Sequence, residues 1–506
     1  MDSETQLKNG GVELSPDLTP EQWVQRLTDL HETSMSELRK LNRHYDLDQP
    51  LSYMHPELWL EVSERIKPVL IAWPQIVVDS IEERLDVTGF RFDNSTDGRD
   101  DKRLWDWWQA NNLDEGSEQV HLEALISGRS FMIVGSREDD KTVPLITVES
   151  PLQMFADFDP QTRKVRAAIK RWVDGTEQFT TLYLPDSTTR YGITGNGALE
   201  VIGTPDEHEL GVVPVVPFVN RGRMTRLDKS DHLTTPGRSE LAPILPLSDA
   251  ACKIATDMMV AAETVAIPSR YAFGLSKDDF QDKNGNPVSP WRTVLGKLLT
   301  HEDKDIKVGQ WPSADLGNFH NTINALAQIV AAVASLPPHY LGFTTDNPAS
   351  ADAIRSNEGR LVKRAERKQV SFGESHEQVM SLAERIIDGE WNASARRLET
   401  RWRDASTPTI SQAADAVQKL VASKVIPIEQ AREDLGYTEG QRLRMDAWDK
   451  ARTARVADAM LFGSAAGANE LTPPPPVAPP VVTPTAMPMA GMATKGMHSD
   501  MPLPGA

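Results

Sequence analysis

An α+β fold, mainly helical, follows from three features of the 506-residue sequence. Short β-branched and aromatic runs fill about 90 residues after Ser130, between stretches with helical spacing. Two helices with heptad-like seams bracket a turn-rich insertion, and one continuous helical pattern covers 350–388. The length suits roughly two to four structural units.

The first helix is predicted where Thr19-Pro20 supplies a cap and a first-turn proline, ahead of Trp23, Leu27, Leu30, Ser34 and Leu38 at helical spacing. A second helical stretch, 59–84, carries Pro68 and Pro74 as breaks or kinks. A third runs from Leu104 through His121 to Ile126. In it Trp105 and Trp108 share a face and read as core anchors rather than a base-stacking platform, because no basic residues interleave with them.

The strand region comprises Phe131-Met-Ile-Val, Leu145-Ile-Thr-Val, 165–173, 179–184 and 212–219, separated by Asp-Pro, Asp-Gly and Gly-Asn-Gly turns. Gly192-Ile-Thr-Gly-Asn-Gly reads as one of these turns, and Asp157-Phe-Asp159-Pro reads as a turn opening rather than a metal pair. Helices return after Pro246, with a packing seam of Leu247, Ala251, Ile254, Met258, Ala261 and Val265 that Pro268 ends. The excursion 270–312 contains Asn284-Gly285, a tight-hairpin dipeptide. A second seam of Phe319, Ile323, Leu326, Val330 and Val333 follows and stops at Pro337-Pro338.

The long helix is capped by Ser350 and keeps one apolar face through a four-residue stutter between Leu361 and Ala365. Two or three short helices are expected in 407–462, with Pro408 and Pro427 as starts and Gly436 as a stop. The Pro- and Met-rich end from Gly463 lacks the composition for a core and reads as a disordered tail.

The formal charge is −19, and residues 1–123 contribute −14 of it with 12 basic and 26 acidic residues. A general basic coat for nucleic acid is therefore ruled out. The single cysteine, Cys252, removes disulfide frameworks and cysteine-ligated zinc, and with no nearby histidine it reads as a small buried residue. The polar start does not read as a signal peptide, and the most apolar run, 323–336, is too short to span a bilayer, so the chain is expected to be soluble and intracellular when made.

No HExxH, GxSxG or GxxxxGK[ST] motif is present, and Asp282-Lys-Asn-Gly-Asn lacks the sixth-position glycine and closing glutamate of a calcium loop. No catalytic residue, metal ligand or cofactor is expected. One constellation stands out: Arg360, Lys363, Arg364, Arg367 and Lys368 form a basic stripe about 140° wide on the long helix. It reads either as an ion-pairing face, solvated or between subunits, or as a phosphate contact.

The ordered segments resemble the portal proteins of tailed double-stranded-DNA bacteriophages, the head–tail connectors, of the long-tailed type. The likeness is carried by Gly211-Val-Val-Pro-Val-Val-Pro-Phe-Val-Asn-Arg, Gly237-Arg-Ser-Glu, Leu247-Ser-Asp-Ala-Ala-Cys-Lys and Asp257-Met-Met-Val-Ala-Ala-Glu with Ile267-Pro-Ser-Arg. Further on come Leu336-Pro-Pro-His-Tyr-Leu-Gly, Asn347-Pro-Ala-Ser-Ala-Asp-Ala-Ile-Arg, Lys363-Arg-Ala-Glu-Arg-Lys-Gln with Phe372-Gly, Thr407-Pro-Thr and Ala431-Arg-Glu-Asp-Leu-Gly-Tyr. It covers roughly 20–460, and its specificity lies in the order of the series rather than in any one motif.

The resemblance implies a wing over 1–235, a first stem helix over 236–269 with Pro243 and Pro246 kinking its start, and a small α/β clip over 270–312. A second stem helix over 313–336, a tunnel loop over 337–352, a long wing helix over 353–404 and a helical crown over 405–462 complete it; the tail over 463–506 has no counterpart in the resemblance. It also implies a ring, a dodecamer in the particle, at one capsid vertex in the virion, assembled in the host cytoplasm. The ring passes DNA during packaging and ejection and meets the major capsid protein, the terminase large subunit and head-completion or adaptor proteins. Leu341, Phe343, Thr344 and Asp346 would line the constriction, and Leu247, Ala251, Ile254, Met258, Ala261, Phe319, Ile323, Leu326 and Val330 would pack the stem. The competing readings are a DNA-processing enzyme, such as a nuclease or terminase subunit, and another capsid adaptor or scaffold protein.

Overall fold

The computed structural model describes residues 18–51, 67–92, 100–159, 162–193, 198–222, 237–265, 270–273, 307–310, 316–342, 351–406, 410–437 and 439–462. The chain forms two units, 1–409 and 410–506. The α+β, mainly helical class is what the first unit shows: helices packed on antiparallel sheets.

Helix α1 (Pro20–Tyr45) begins with a reciprocal cap, Thr19 and Gln22 each accepting the other's backbone N–H. It lays Trp23, Val24 and Leu27 on a five-stranded meander of β4 (Met154–Phe158), β5 (Val165–Asp174), β6 (Glu177–Tyr183), β7 (Thr188–Ile193) and β8 (Leu199–Val201). Alternation puts Ile169, Leu182 and Tyr191 on the face beneath α1.

The second sheet orders β3 (Pro144–Glu149), β2 (Arg129–Ser136) and β9 (Val215–Val219), all antiparallel. Pro217 is tolerated because β9 is an edge strand. Strand β1 (Val87–Phe92) pairs with β12 (Leu398–Trp402), far apart in sequence.

Several boundaries differ from the sequence expectation. The stretch expected over 59–84 lies outside the described residues before 67. Residues 67–72 are not helical, and α2 (Trp73–Glu82) starts at Trp73-Pro74, so Pro74 opens a helix rather than kinking one. The single helix expected over 104–126 is two, α3 (Lys102–Ala110) and α4 (Leu113–Ser127), parted by Asn112 in the left-handed region at φ 52°. Trp108 is fully buried and stacks on Trp105, as core anchors should.

The first seam helix, α5 (Leu245–Val265), is shorter than 236–269. Pro243 precedes it and Pro246 occupies its first turn, where a missing N–H costs nothing, so neither proline kinks it. Helix α6 (Gly317–Ala334) ends at Ser335 with φ 56°. Between them β10 (Arg270–Phe273) and β11 (Lys307–Gln310) pair antiparallel and close the base of the excursion. Asn284-Gly285 and the tail from Gly463 lie outside the described residues. Helix α7 (Ala351–Asp388) matches the expected long helix.

The second unit holds α8 (Ile410–Ala422), α9 (Ile428–Asp434), capped by Pro427, and α10 (Glu439–Phe462). Gly436 at φ 80° terminates α9, whereas α10 is long rather than short.

Gly237 is a structural pinch point. Its φ is +102°, and a Cβ there would stand 2.1 Å from the carbonyl oxygen of Gly128. Gly237→Ala must displace that backbone, so we expect a loss of at least about 3 kcal/mol of first-unit stability by chemical denaturation, the strained φ and the clash acting together.

Candidate functional site

The described residues converge on one buried ionic node at the entrance to α5. The loop from Gly237 crosses the end of α4: Asn220 N–H donates to the Gly128 carbonyl at 3.0 Å, Arg238 N–H to Asn220 at 2.9 Å, and Glu240 N–H to Leu125 at 2.9 Å. These bonds bring the end of β9, the end of α4 and the start of α5 to one point.

Glu240, only 1 % exposed, sits at its centre. Lys368 Nζ reaches Oε1 at 2.9 Å, Arg364 donates to Oε2 at 2.5 Å, Arg221 Nε donates to Oε1 at 2.8 Å, and Asn220 Nδ2 donates at 3.2 Å. Lys368 also donates to Asn220 Oδ1. Burial alone would raise the Glu240 carboxyl, but the charges of Lys368, Arg364 and Arg221 overrule it and hold it down at about 2. Burial lowers Arg364 and Lys368, and Glu240 opposes that fall.

The basic stripe on α7 is therefore divided. Arg364 and Lys368 point into the node, whereas Arg360, Lys363 and Arg367 are exposed, Lys363 beside Glu366 at 2.5 Å. Asn220, Arg221 and Glu240 were missed as chemistry by the sequence reading. Asn220-Arg221 end one of the resemblance motifs and Glu240 ends another, but neither was read as chemistry, since a buried carboxylate leaves no periodic trace.

On the seam helices, α5 buries Ser248, Ala251, Cys252, Ala255 and Thr256, and α6 buries Ala327, Val330, Ala331 and Ala334. The buried faces are thus rotated from the expected seams, with Ala251 and Val330 common to both. Leu247, Ile254, Met258 and Ala261, with Phe319, Ile323 and Leu326, are half-buried. Met259, Ile329 and Val333 are exposed. Small residues let the two helices approach closely; Leu247, Ile323 and Leu326 pack partly against the main core, and Met259, Ile329 and Val333 face outward.

After α6 a single 3-10 turn, Pro338–Leu341, holds half-buried Leu341. Phe343, Thr344 and Asp346 lie outside the described residues. The Tyr340 hydroxyl accepts from Arg84, just after α2, at 3.1 Å and donates to Glu358 of α7 at 3.1 Å, tying together the segments that flank 343–350.

Asp157 is engaged by Arg166 at 2.6 Å and Arg26 at 3.5 Å, and Asp159 accepts from Thr162 across a turn. Cys252 is buried, its thiol pushed up by burial. Among the described residues no group of three or more His, Cys, Asp and Glu stands together as metal ligands, and no helix is long and apolar enough to cross a membrane.

The family model described as "Phage portal protein, SPP1 Gp6-like" matches residues 24–456. A portal protein of Mycobacterium phage L5 is 38 % identical over 424 residues, covering 81 % of this chain and 85 % of the relative. A portal protein of Mycobacterium phage D29 is 38 % identical over 397 residues, covering 76 % and 79 %. Among solved structures, a chain from the neck of a native GTA particle computed with C12 symmetry matches at TM-score 0.42 and 14 % identity, over 79 % of this chain and 93 % of that one.

Proposed function

The chain belongs to the SPP1 Gp6-like phage portal protein family, and from that premise we propose that it assembles as a ring at one capsid vertex, in the neck of a virion, and conducts double-stranded DNA rather than acting on it chemically. The observation that carries this reading within the fold is the α5–α6 pair. Its two helices bracket an excursion closed by β10 and β11, and they present Met259, Ile329 and Val333 outward. An apolar surface of this kind on paired helices favours packing against copies of the same pair around a cyclic axis.

In this reading α5 and α6 are the stem, 270–312 the clip, 337–352 the tunnel loop and 405–462 the crown, with 1–235 and 353–404 as wing. Leu341, Phe343, Thr344 and Asp346 line the constriction. A near-neutral wall suits a conduit, because a protein neutralising many phosphates would hold DNA rather than let it slide. Arg364 and Lys368, spent on Glu240, do not face DNA; Arg360, Lys363 and Arg367 are the members of the stripe open to DNA or to a neighbouring subunit. The partners of the assembled ring are the major capsid protein, the terminase large subunit and head-completion proteins.

Electron microscopy of the purified full-length protein tests the ring. A closed ring with a central channel is expected, and monomers alone at high concentration would overturn it. Deletion of 341–346 is expected to leave rings intact while impairing packaging or DNA retention; unchanged packaging and retention would remove the constriction from the mechanism.

A further inference from the structure

The second unit is poor in core. Among its described residues only Val417 and Ala431 are buried apolar side chains, whereas Leu420, Val425, Ile428, Leu443, Trp448 and Val456 are exposed, Val425 by 67 % and Trp448 by 69 %. A unit whose helical part is roughly 50 residues long rarely buries enough apolar surface to hold its fold alone. Its exposed apolar side chains are moreover gathered in two unlike patches.

The first patch is a knuckle between α8 and α9. Lys424 stands at φ 57°, its N–H donates to the Val421 carbonyl, and the Val425 N–H donates to the Leu420 carbonyl, both at 3.0 Å. This turn closes Val425 back toward Leu420, and Ile428 follows at the start of α9. The second patch is an arm. Helix α10, with 24 residues, extends about 36 Å, whereas α9, with 7, extends about 10 Å. The ion pairs that tie them, Arg432 to Asp446 and Asp449 and Arg442 to Glu433, all fall in the first half of α10. Every residue from 447 to 456 is exposed, so no side of this stretch is covered. A helix bare on all sides for nearly three turns is marginal in water. At 100° per residue, Leu443, Ala447, Ala451 and Ala454 share an arc of about 80° that holds no charged residue between 441 and 456, and Trp448 borders it.

We infer that the Leu420–Val425–Ile428 knuckle of one copy seats against the α10 arm of the next copy, so that the second unit completes its core only on assembly. Every copy carries one knuckle and one arm, and a contact between unlike patches leaves none unmatched only when it closes into a ring. A second copy is thus the occupant present in the right number for both patches. This choice rests on the ring reading above; the two patches rest on exposure and helix length.

The test uses the full-length protein, whose single native cysteine, Cys252, is buried. In a Val425→Cys/Ala451→Cys variant a short, flexible bismaleimide should join copies into a covalent ladder on a denaturing gel. Neither single-cysteine variant should form one, because unlike patches meet. Hydrogen exchange gives a second reading. In unmodified rings the amides of α8 to α10 should exchange at least about tenfold more slowly than in a Val425→Asp/Ile428→Asp variant, with first-unit exchange equal in the two. Both side chains are more than half exposed, so a single chain tolerates the change.

Loss of rings by the aspartate variant, with first-unit exchange unchanged, would equally support the contact. No ladder, a link confined to one chain, a ladder from either single-cysteine variant, or equal exchange of α8 to α10 in the two proteins would overturn it. A link confined to one chain would assign the arm to the copy's own knuckle. Failure of the ring reading shows separately, as micrographs of the unmodified protein without rings, and it takes this contact with it; rings that give any of the contrary results remove this contact alone.

Discussion

Replacing Glu240 by glutamine lowers the stability of the first unit by about 3 to 5 kcal/mol at neutral pH, the cost of leaving buried charge without its partner. Glutamine keeps the shape and one carbonyl oxygen, so little of this loss comes from packing. It comes from Arg364, Lys368 and Arg221, which then face one another around the buried position that the carboxylate held.

The pH dependence separates this account from a packing effect. The folded Glu240 carboxyl, at about 2, lies below its ordinary 4.5. Its contribution is fully present above about pH 4.5 and is lost as pH falls through 2. Denaturant unfolding of both proteins at a series of pH values should therefore show the gap between them closing between about 4.5 and 2. A shift of about 2.5 pH units corresponds to roughly 3 kcal/mol, which agrees with the loss expected from the broken pair. A gap below about 1 kcal/mol at neutral pH, or one that persists unchanged at pH 2, would show that the node does not hold the fold.

The legible part of this fold was the part written in periods. Thr19-Pro20 announced α1, alternation announced the strand region, and the long pattern ending at Asp388 announced α7, because one buried face imposes its spacing on the sequence. The break at Asn112 was hidden because either side of it reads as helix, and only a left-handed backbone parts them. The rotation of the seam on α5 has a different cause. Ser248 and Thr256 are polar by composition yet buried, and Thr256 donates its hydroxyl to the Cys252 carbonyl, so hydropathy alone does not mark the face buried within the chain.

The basic stripe on α7 shows the limit most clearly. Helical geometry placed five cations together, but their division depended on Glu240, more than a hundred residues away in sequence and brought in by Gly237 passing over Gly128. The motifs that carry the family resemblance in this region, around Asn220, Glu240 and Lys368, meet in that one node.

A different buried pair governs behaviour at milder acidity. His121 of α4 and His376 of α7 lie Nε2 to Nε2 at 2.9 Å, enclosed by Trp108, Phe218, Phe372 and Trp402. One ring donates and the other accepts, so the accepting ring is neutral, and full burial disfavours charge on the donor as well. His121 stacks on Phe372 at 5.2 Å, and His376 meets Phe218 edge-on at 4.7 Å. Burial pushes His121 down to about 3, and burial followed by repulsion from His121 pushes His376 well below its ordinary value.

The sign follows from linkage. Between the ordinary value of 6.5 and these depressed values the unfolded chain binds protons that the folded chain refuses, so stability falls as pH falls, by about 1.4 kcal/mol per pH unit for each ring. Over two units the pair removes about 5 kcal/mol. Glu82 works in the opposite sense, held up at about 7 by burial and then by neighbouring carboxylates, so the pH profile of the unmodified protein is flatter than the pair alone dictates. The difference between it and a His121→Leu/His376→Leu variant isolates the pair. That variant should lose about 2 to 4 kcal/mol at pH 7 from altered packing, and then gain on the unmodified protein steadily from pH 6.5 to 4.5 until the order of stability reverses. Parallel curves over that range would mean that the imidazoles take up protons without unfolding, and that the aromatic enclosure admits charge more readily than its burial implies.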